Sequence, residues 1–147
     1  MLNSTLVVKL FSIILLITSP IFTSPIFAQE IPAYKNKNIP TDIDNLIALK
    51  GIGRKSANVI LRETSQKAQG IIADLHVIRV APRIGITDDS KDGIKIEKQL
   101  MKVLPTEIWN EIGMAISFLG REICRPTNPK CNQCIIQKDC QYTFKTV

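Results

Sequence analysis

A lysine follows a pair of glycines in the stretch LKGIGRKSANVIL, residues 49–61. Gly51 and Gly53 allow a tight turn whose backbone N–H groups stay open, and the apolar run after them predicts the start of a helix. N–H groups at a helix N-terminus bind anions, and a DNA phosphate is one anion that would fit. The stretch is therefore either an anion site beside Lys55 or a plain glycine turn between two packed helices.

All four cysteines lie in the last 24 residues, with six, two and five residues between them: Cys124, Cys131, Cys134 and Cys140. Clustering this tight favours one metal centre or two local disulfides over a network that staples the whole fold. Zinc is the weaker metal, because paired C-x-x-C units are usual in zinc sites and only one such unit occurs here.

Composition places limits on the class of protein. A chain of 147 residues supports one domain with a small appendage, and its formal charge of +6 suits a nucleic-acid or anionic-membrane partner. Aromatic residues are only 5% of the chain, so a single-strand binder built on base stacking is not expected.

The beginning of the chain has the pattern of a targeting segment. Residues 1–28 are predicted to be a signal-like apolar leader, because Lys9 precedes LFSIILLI and a small residue, Ala28, ends the stretch. Such a leader suggests export or an organelle. Residues 29–40, with two prolines, are predicted to be a linker.

Apolar residues at helical spacing predict an all-α region over residues 41–120, followed by a cysteine loop and tail over residues 121–147. A helix is expected over about 94–104, and an apolar face lines a last long helix after Pro105. The residues expected to begin, kink or end helices are Thr41, Gly70, Asp74, Pro82, Thr106 and Gly120.

Lys55, Asp74 and the cysteine quartet together resemble the C-terminal half of the endonuclease III family. These are helix-hairpin-helix DNA glycosylases with a C-terminal iron–sulfur cluster, and the match runs from about Asp42 to Tyr142. The resemblance implies that Lys55 attacks the sugar C1′ and forms a Schiff base, and that Asp74 is the catalytic aspartate. It implies that four cysteines, Cys124, Cys131, Cys134 and Cys140, bind a [4Fe-4S] cluster.

The same resemblance implies that the hairpin grips a DNA phosphate, through Leu49, Gly51, Gly53 and Arg54. The implied activity is base-excision repair: removal of damaged bases, oxidised pyrimidines among them, and β-elimination at abasic sites. The implied partner is double-stranded DNA in the cytoplasm or nucleoid, with no membrane partner beyond the leader. Helices that precede the hairpin in the family are missing, so the chain is expected to be N-terminally truncated, and a partner chain is one source of those helices.

The sequence also departs from the family pattern. Lys50 stands in place of a hairpin proline, Leu75 in place of threonine and Pro82 in place of a polar residue. Two rival functions stay open, namely a non-catalytic DNA-binding remnant and an exported small disulfide protein. Among other residues, we expect Trp109 to pack and His76 to bond within its helix. The side chains of Arg54, Arg62 and Lys67 are expected to be solvated.

Overall fold

A computed structural model describes residues 39–145 of the chain. The predicted leader and residues 29–38 of the predicted linker lie outside this range. Five α-helices follow one another: α1 (Ile43–Ala48), α2 (Arg54–Glu63), α3 (Leu75–Arg83), α4 (Gly93–Val103) and α5 (Trp109–Glu122). Short 3-10 turns cover Thr106–Ile108 and Cys131–Gln133. No strand occurs within residues 39–145, which confirms the all-α prediction.

The first two helices form a hairpin with a small core of its own. Asp42 caps α1, because its carboxylate accepts a hydrogen bond from the backbone N–H of Asn45 at 2.9 Å. The predicted cap, Thr41, is wrong by one residue, and its carbonyl instead accepts from the Gln69 amide at 3.0 Å. The side chains that the two helices bury against each other are Ile43, Leu46, Ala57 and Leu61.

The main core lies between α3 and α5, which pack most extensively, with α4 along one side. Its fully buried side chains come from the apolar stripes of these helices, among them Val77, Val80, Ile96, Leu100, Ile112 and Ile116. The predicted apolar face of the last helix is confirmed: Ile108, Ile112, Ala115, Ile116 and Leu119 are all buried.

Glycines allow the close packing of α5. A Cβ at Gly113 would lie 3.0 Å from the backbone nitrogen of Ile72, and one at Gly120 would lie 2.9 Å from His76 Cβ. Gly120 was expected to end α5, but the helix continues to Glu122. The position therefore needs glycine because α3 passes close to it.

Other predicted helix ends are also corrected. Asp74 does cap α3, and Pro82 lies in its last turn, one residue before the end. Thr106 starts a 3-10 turn rather than capping α5. Gly70 is not the stop of α2, which ends at Glu63, and it lies instead where a side chain would overlap the Glu97 carboxylate.

No helix within residues 39–145 is long and apolar enough to cross a lipid bilayer.

Candidate active site and cysteine cavity

The hairpin between α1 and α2 presents open backbone. Gly51 has φ +88°, a conformation that L side chains rarely adopt, and the Ile52 N–H donates to the Leu49 carbonyl at 3.1 Å to close the turn. A Cβ built at Gly51 or Gly53 would meet no atom within 4 Å, so the glycines face open space. The turn thus leaves room for a ligand to approach its backbone.

Helix α2 begins at this hairpin without a side-chain cap. Gly53 is its N-cap residue, and no side chain bonds to the first-turn N–H groups. These groups carry the positive end of the helix dipole and have no intrahelical partner. They form the anion site that the sequence predicted, with Lys55 exposed one residue inside the helix.

Lys55 lines an open groove between α2 and the start of α4. Gly53, Arg54, Ile71, Ala73 and Ile94 are among the other lining residues. Asp74 follows Ala73 at the N-terminus of α3, so the two predicted catalytic residues come from neighbouring elements. The Asp74 side chain is not part of the groove lining and turns toward α5.

The Asp74 carboxylate is held at both oxygens. Oδ1 accepts from the backbone N–H groups of His76 and Val77, each at 2.9 Å, and this is the helix cap. Oδ2 accepts from the Ser117 hydroxyl at 2.6 Å, and the Arg121 guanidinium lies 3.8 Å from the same oxygen. The side chain is 13% exposed, so the carboxylate is largely shielded from water.

These contacts keep Asp74 ionised. Burial by itself would raise the pKa of the carboxyl group. The hydrogen bonds from Ser117 and from the Val77 and His76 backbone outweigh burial and lower the pKa below its ordinary value. The group is therefore a fixed negative charge at neutral pH.

The four cysteines line one small cavity, closed on its inner side by Ile84 and Leu119. All four thiols are free, so the structure gives no support to the pair of disulfides that the sequence left open. Burial raises the pKa of the Cys134 and Cys140 thiols. Within the described residues, no three Cys, His, Asp or Glu side chains converge closely enough to hold a single metal ion.

Two arginines of α3 fasten the cysteine loop to the helical core. Arg79 Nη2 donates to the Gly120 carbonyl at 2.8 Å and to the Cys124 carbonyl at 3.2 Å. Arg83 Nη1 donates to the Arg125 carbonyl at 2.7 Å and lies 3.6 Å from Cys124 Sγ. Its guanidinium also stacks 4.4 Å above the centre of the Tyr142 ring. The loop is thus positioned by the same helix that Asp74 caps.

Arg54 is not simply solvated, because its Nε donates to Glu97 Oε2 at 2.6 Å and its side chain is 25% exposed. Arg62 is not solvated either: it bonds to the Glu111 carboxylate at 2.9 Å. His76 Nδ1 lies 3.2 Å from Arg79 Nη2, as a contact within α3. Trp109 packs on the main core and donates to the Leu104 carbonyl at 3.1 Å, as predicted.

Two functional contacts were missed by the sequence analysis. Ser117 and Glu97 are both buried, and each bonds to a residue of the predicted site. A polar residue within an otherwise apolar helical face was the available signal for both. Its partner could not be identified without the packing of the helices.

Comparison with known proteins gives a consistent family. The chain is 33% identical over 104 residues to Endonuclease III of Thermotoga maritima, covering 71% of this chain and 48% of that protein. It is 36% identical over 110 residues to Endonuclease III of Haemophilus influenzae, covering 75% and 51%. The chain spans about half the length of the curated relatives it matches. No protein-family model matches it.

A solved structure of a trapped Endonuclease III–DNA covalent intermediate superimposes with a TM-score of 0.65 at 35% identity. It covers 72% of this chain and 49% of the solved one. A non-covalent Endonuclease III–DNA complex gives a TM-score of 0.63 at 36% identity. The chain is therefore similar, in sequence and in its all-helical fold, to the C-terminal portion of endonuclease III, a helix-hairpin-helix protein.

Proposed function

We propose that this protein acts in base-excision DNA repair as a DNA glycosylase and abasic-site lyase. The observation that carries the proposal is the arrangement of Lys55 at the uncapped start of α2, beside a glycine hairpin, with the fixed Asp74 carboxylate at the start of α3. The likeness to a trapped covalent Endonuclease III–DNA intermediate supports it. A carboxylate that only capped a helix would not need a further buried donor on its second oxygen.

In the proposed reaction the Lys55 amine, in its neutral form, attacks C1′ of a damaged nucleotide. A bond forms between Nζ and C1′, the glycosidic bond breaks, and the base leaves with a proton. Ring opening then gives a Schiff base, and loss of a proton from C2′ expels the 3′ phosphate. Water finally releases the lysine from the sugar fragment.

Asp74 has an electrostatic role in this scheme. Positive charge develops on the sugar as the glycosidic bond breaks, and a nearby ionised carboxylate stabilises it. The hydrogen bonds that lower the pKa of Asp74 make it a poor proton acceptor at neutral pH. We therefore assign it charge stabilisation in preference to general base catalysis.

The hairpin is proposed to bind a DNA phosphate through backbone N–H groups at the start of α2. The open space beside Gly51 and Gly53 supports this role, and Leu49 and Lys50 are exposed at the same turn. The Nε of Arg54 is bonded to Glu97, so the rest of its guanidinium is the part left for the phosphate. A target base must leave the stack to reach Lys55, which favours damaged bases with weak pairing, such as oxidised pyrimidines.

We further propose that Cys124, Cys131, Cys134 and Cys140 hold a [4Fe-4S] cluster. Four free thiols around one cavity are the donor set that such a cluster takes, one thiolate for each iron. Because each sulfur binds a different iron, the thiols need not converge as they would on a single ion. The cluster would tie the loop that carries Arg125 and Lys130, two basic residues suited to the DNA backbone.

The protein would act where double-stranded DNA is found, in the cytoplasm or nucleoid. Leu75 is 80% exposed beside Asp74, and Ile94 is 49% exposed in the groove of Lys55. Apolar side chains at this edge suit a covering by further helices, from residues outside the described range or from a partner chain. Light scattering of the full chain, alone and with DNA, measures whether it associates.

The decisive experiment is borohydride trapping on DNA with one abasic site. Anaerobically reconstituted protein is expected to give a covalent adduct, whereas Lys55→Ala gives none. Lys67→Ala removes an exposed lysine from the loop after α2 and is the charge-matched control, which should trap as the wild type does. Absorbance near 400 nm, from iron–sulfur charge transfer, should appear in the same preparation and be lost in Cys131→Ser.

Two results would contradict these proposals. Well-folded, cluster-loaded protein that traps no adduct, yet binds DNA with the same affinity in Lys55→Ala, would favour a non-catalytic DNA-binding protein. Protein that takes up no iron and carries two disulfides would eliminate the cluster.

A further inference from the structure

Ser117 is one of the few polar residues that the described chain buries completely. It lies on the core-facing side of α5 between Ile116 and Leu119, with none of its surface exposed. A hydroxyl in such surroundings is costly unless it is hydrogen-bonded. Its partner is Asp74 Oδ2, at 2.6 Å, across the interface between α5 and α3.

The division of bonds on Asp74 gives Ser117 a distinct part. The helix cap uses Oδ1 alone, through two backbone N–H groups. A carboxylate capped in this way can still rotate its second oxygen toward solvent. The Ser117 hydroxyl bonds to that second oxygen, while Arg121 lies too far for a close hydrogen bond, at 3.8 Å.

We propose that Ser117 is a positioning residue for the reaction, which holds the Asp74 carboxylate in one orientation and in its ionised form. This inference rests on the proposed function, because it assigns Ser117 a task only if Asp74 acts in catalysis. Ser117 touches no substrate and acts through Asp74. The bond it makes is charge-assisted, a class about twice as strong as bonds between neutral groups.

The electrostatic surroundings of Asp74 come from three elements. His76 on its own helix stabilises the negative charge, and Arg121 of α5 is the nearest cation printed by geometry on Oδ2. Lys55 and Arg54 of α2 line the groove next to Ala73. Removal of the Ser117 hydroxyl leaves all of these charges in place, so a change in the titration of Asp74 reports the lost hydrogen bond.

The test compares Ser117→Ala with Ile116→Val, which removes one methylene from the neighbouring buried side chain and leaves Asp74 untouched. Carbon-13 NMR of labelled full-length, cluster-loaded protein follows the Asp74 carboxyl, assigned with Asp74→Asn. We expect Ser117→Ala to raise its titration midpoint by about one to two pH units. The acid limb of the trapping rate should rise by the same amount, a tenfold loss per unit on that limb, while Ile116→Val moves neither.

Ser117→Thr keeps the hydroxyl and should restore the wild-type pH profile. If the alanine variant does not fold, Ser117→Cys keeps the shape of the side chain with a much weaker donor and should show the same shift. An unchanged midpoint, an equal shift in Ile116→Val, or a shifted midpoint with an unmoved trapping profile would overturn the proposal. Wild-type protein that traps no adduct would refute the proposed function instead, and the NMR midpoint would still decide whether Ser117 holds the carboxylate.

Discussion

Glu97 connects the hairpin to the main core, and its replacement by alanine should destabilise the fold strongly. Its carboxylate is 2% exposed and accepts from Arg54 Nε at 2.6 Å and from Asn58 Nδ2 at 2.8 Å. Both donors belong to α2, whereas Glu97 belongs to α4. The two hydrophobic clusters are thus joined by one buried carboxylate beneath the groove of Lys55.

The magnitude follows from what each partner loses. Asn58 is buried, its Oδ1 has no partner within the described residues, and its remaining bond, to the Ile71 carbonyl, is long at 3.4 Å. Stranding its amide costs about 1–3 kcal/mol. Arg54 is 25% exposed and can turn to water, so its loss is smaller, about 1 kcal/mol or less. We therefore expect Glu97→Ala to lower the free energy of unfolding by about 2–4 kcal/mol.

Urea denaturation followed by circular dichroism measures this change as a shift of the midpoint at constant slope. Glu97→Gln keeps an acceptor for Asn58 and loses only the charge, so about half of the effect should remain. Glu122→Ala removes an exposed carboxylate from the end of α5 and should change stability by less than about 0.5 kcal/mol. A Glu97→Ala variant no less stable than Glu122→Ala would refute the reasoning.

Three further predictions concern single positions. Because the pKa of Asp74 is lowered in the folded state, its stabilising contribution is complete above the ordinary value, about 3.9, and is lost as pH falls through the lower folded value. Acid titration of unfolding free energy should therefore show wild type and Asp74→Asn converging below pH 4, and a gap that persists there would contradict it. Gly113→Ala places a methyl against the Ile72 backbone and should cost about 2–3 kcal/mol in urea denaturation, since backbone cannot yield as a side chain does. Gly51→Ala has free space but a φ of +88°, so it should cost only the strain, about 1–2 kcal/mol, in the same assay. An effect of Gly51→Ala as large as that of Gly113→Ala would show that contact, not backbone conformation, governs the hairpin.

Local chemistry explains which parts of the fold the sequence predicted. Asp74 before an apolar stripe predicts a capped helix, and the structure confirms it, because a cap needs only neighbouring backbone. The apolar face of α5 was predictable for the same reason, since helical spacing sets it. Thr41 and Gly120 were misassigned because several residues nearby could serve as cap or stop. Tertiary contacts decided between them: the Thr41 carbonyl bonds to Gln69, and Gly120 gives α3 room.

The candidate site divides in the same way. The hairpin glycines, Lys55 and the spacing of the four cysteines can be recognised in the chain alone, because their chemistry depends on residue type and short separations. The bond from Ser117 to Asp74 joins residues 43 apart, and that from Arg54 to Glu97 also spans 43. Only the packing of α5 on α3 and of α4 on α2 determines those partners. The sequence by itself therefore identified the nucleophile, the carboxylate and the thiols, and the tertiary structure decided how the carboxylate is held and which charges remain free.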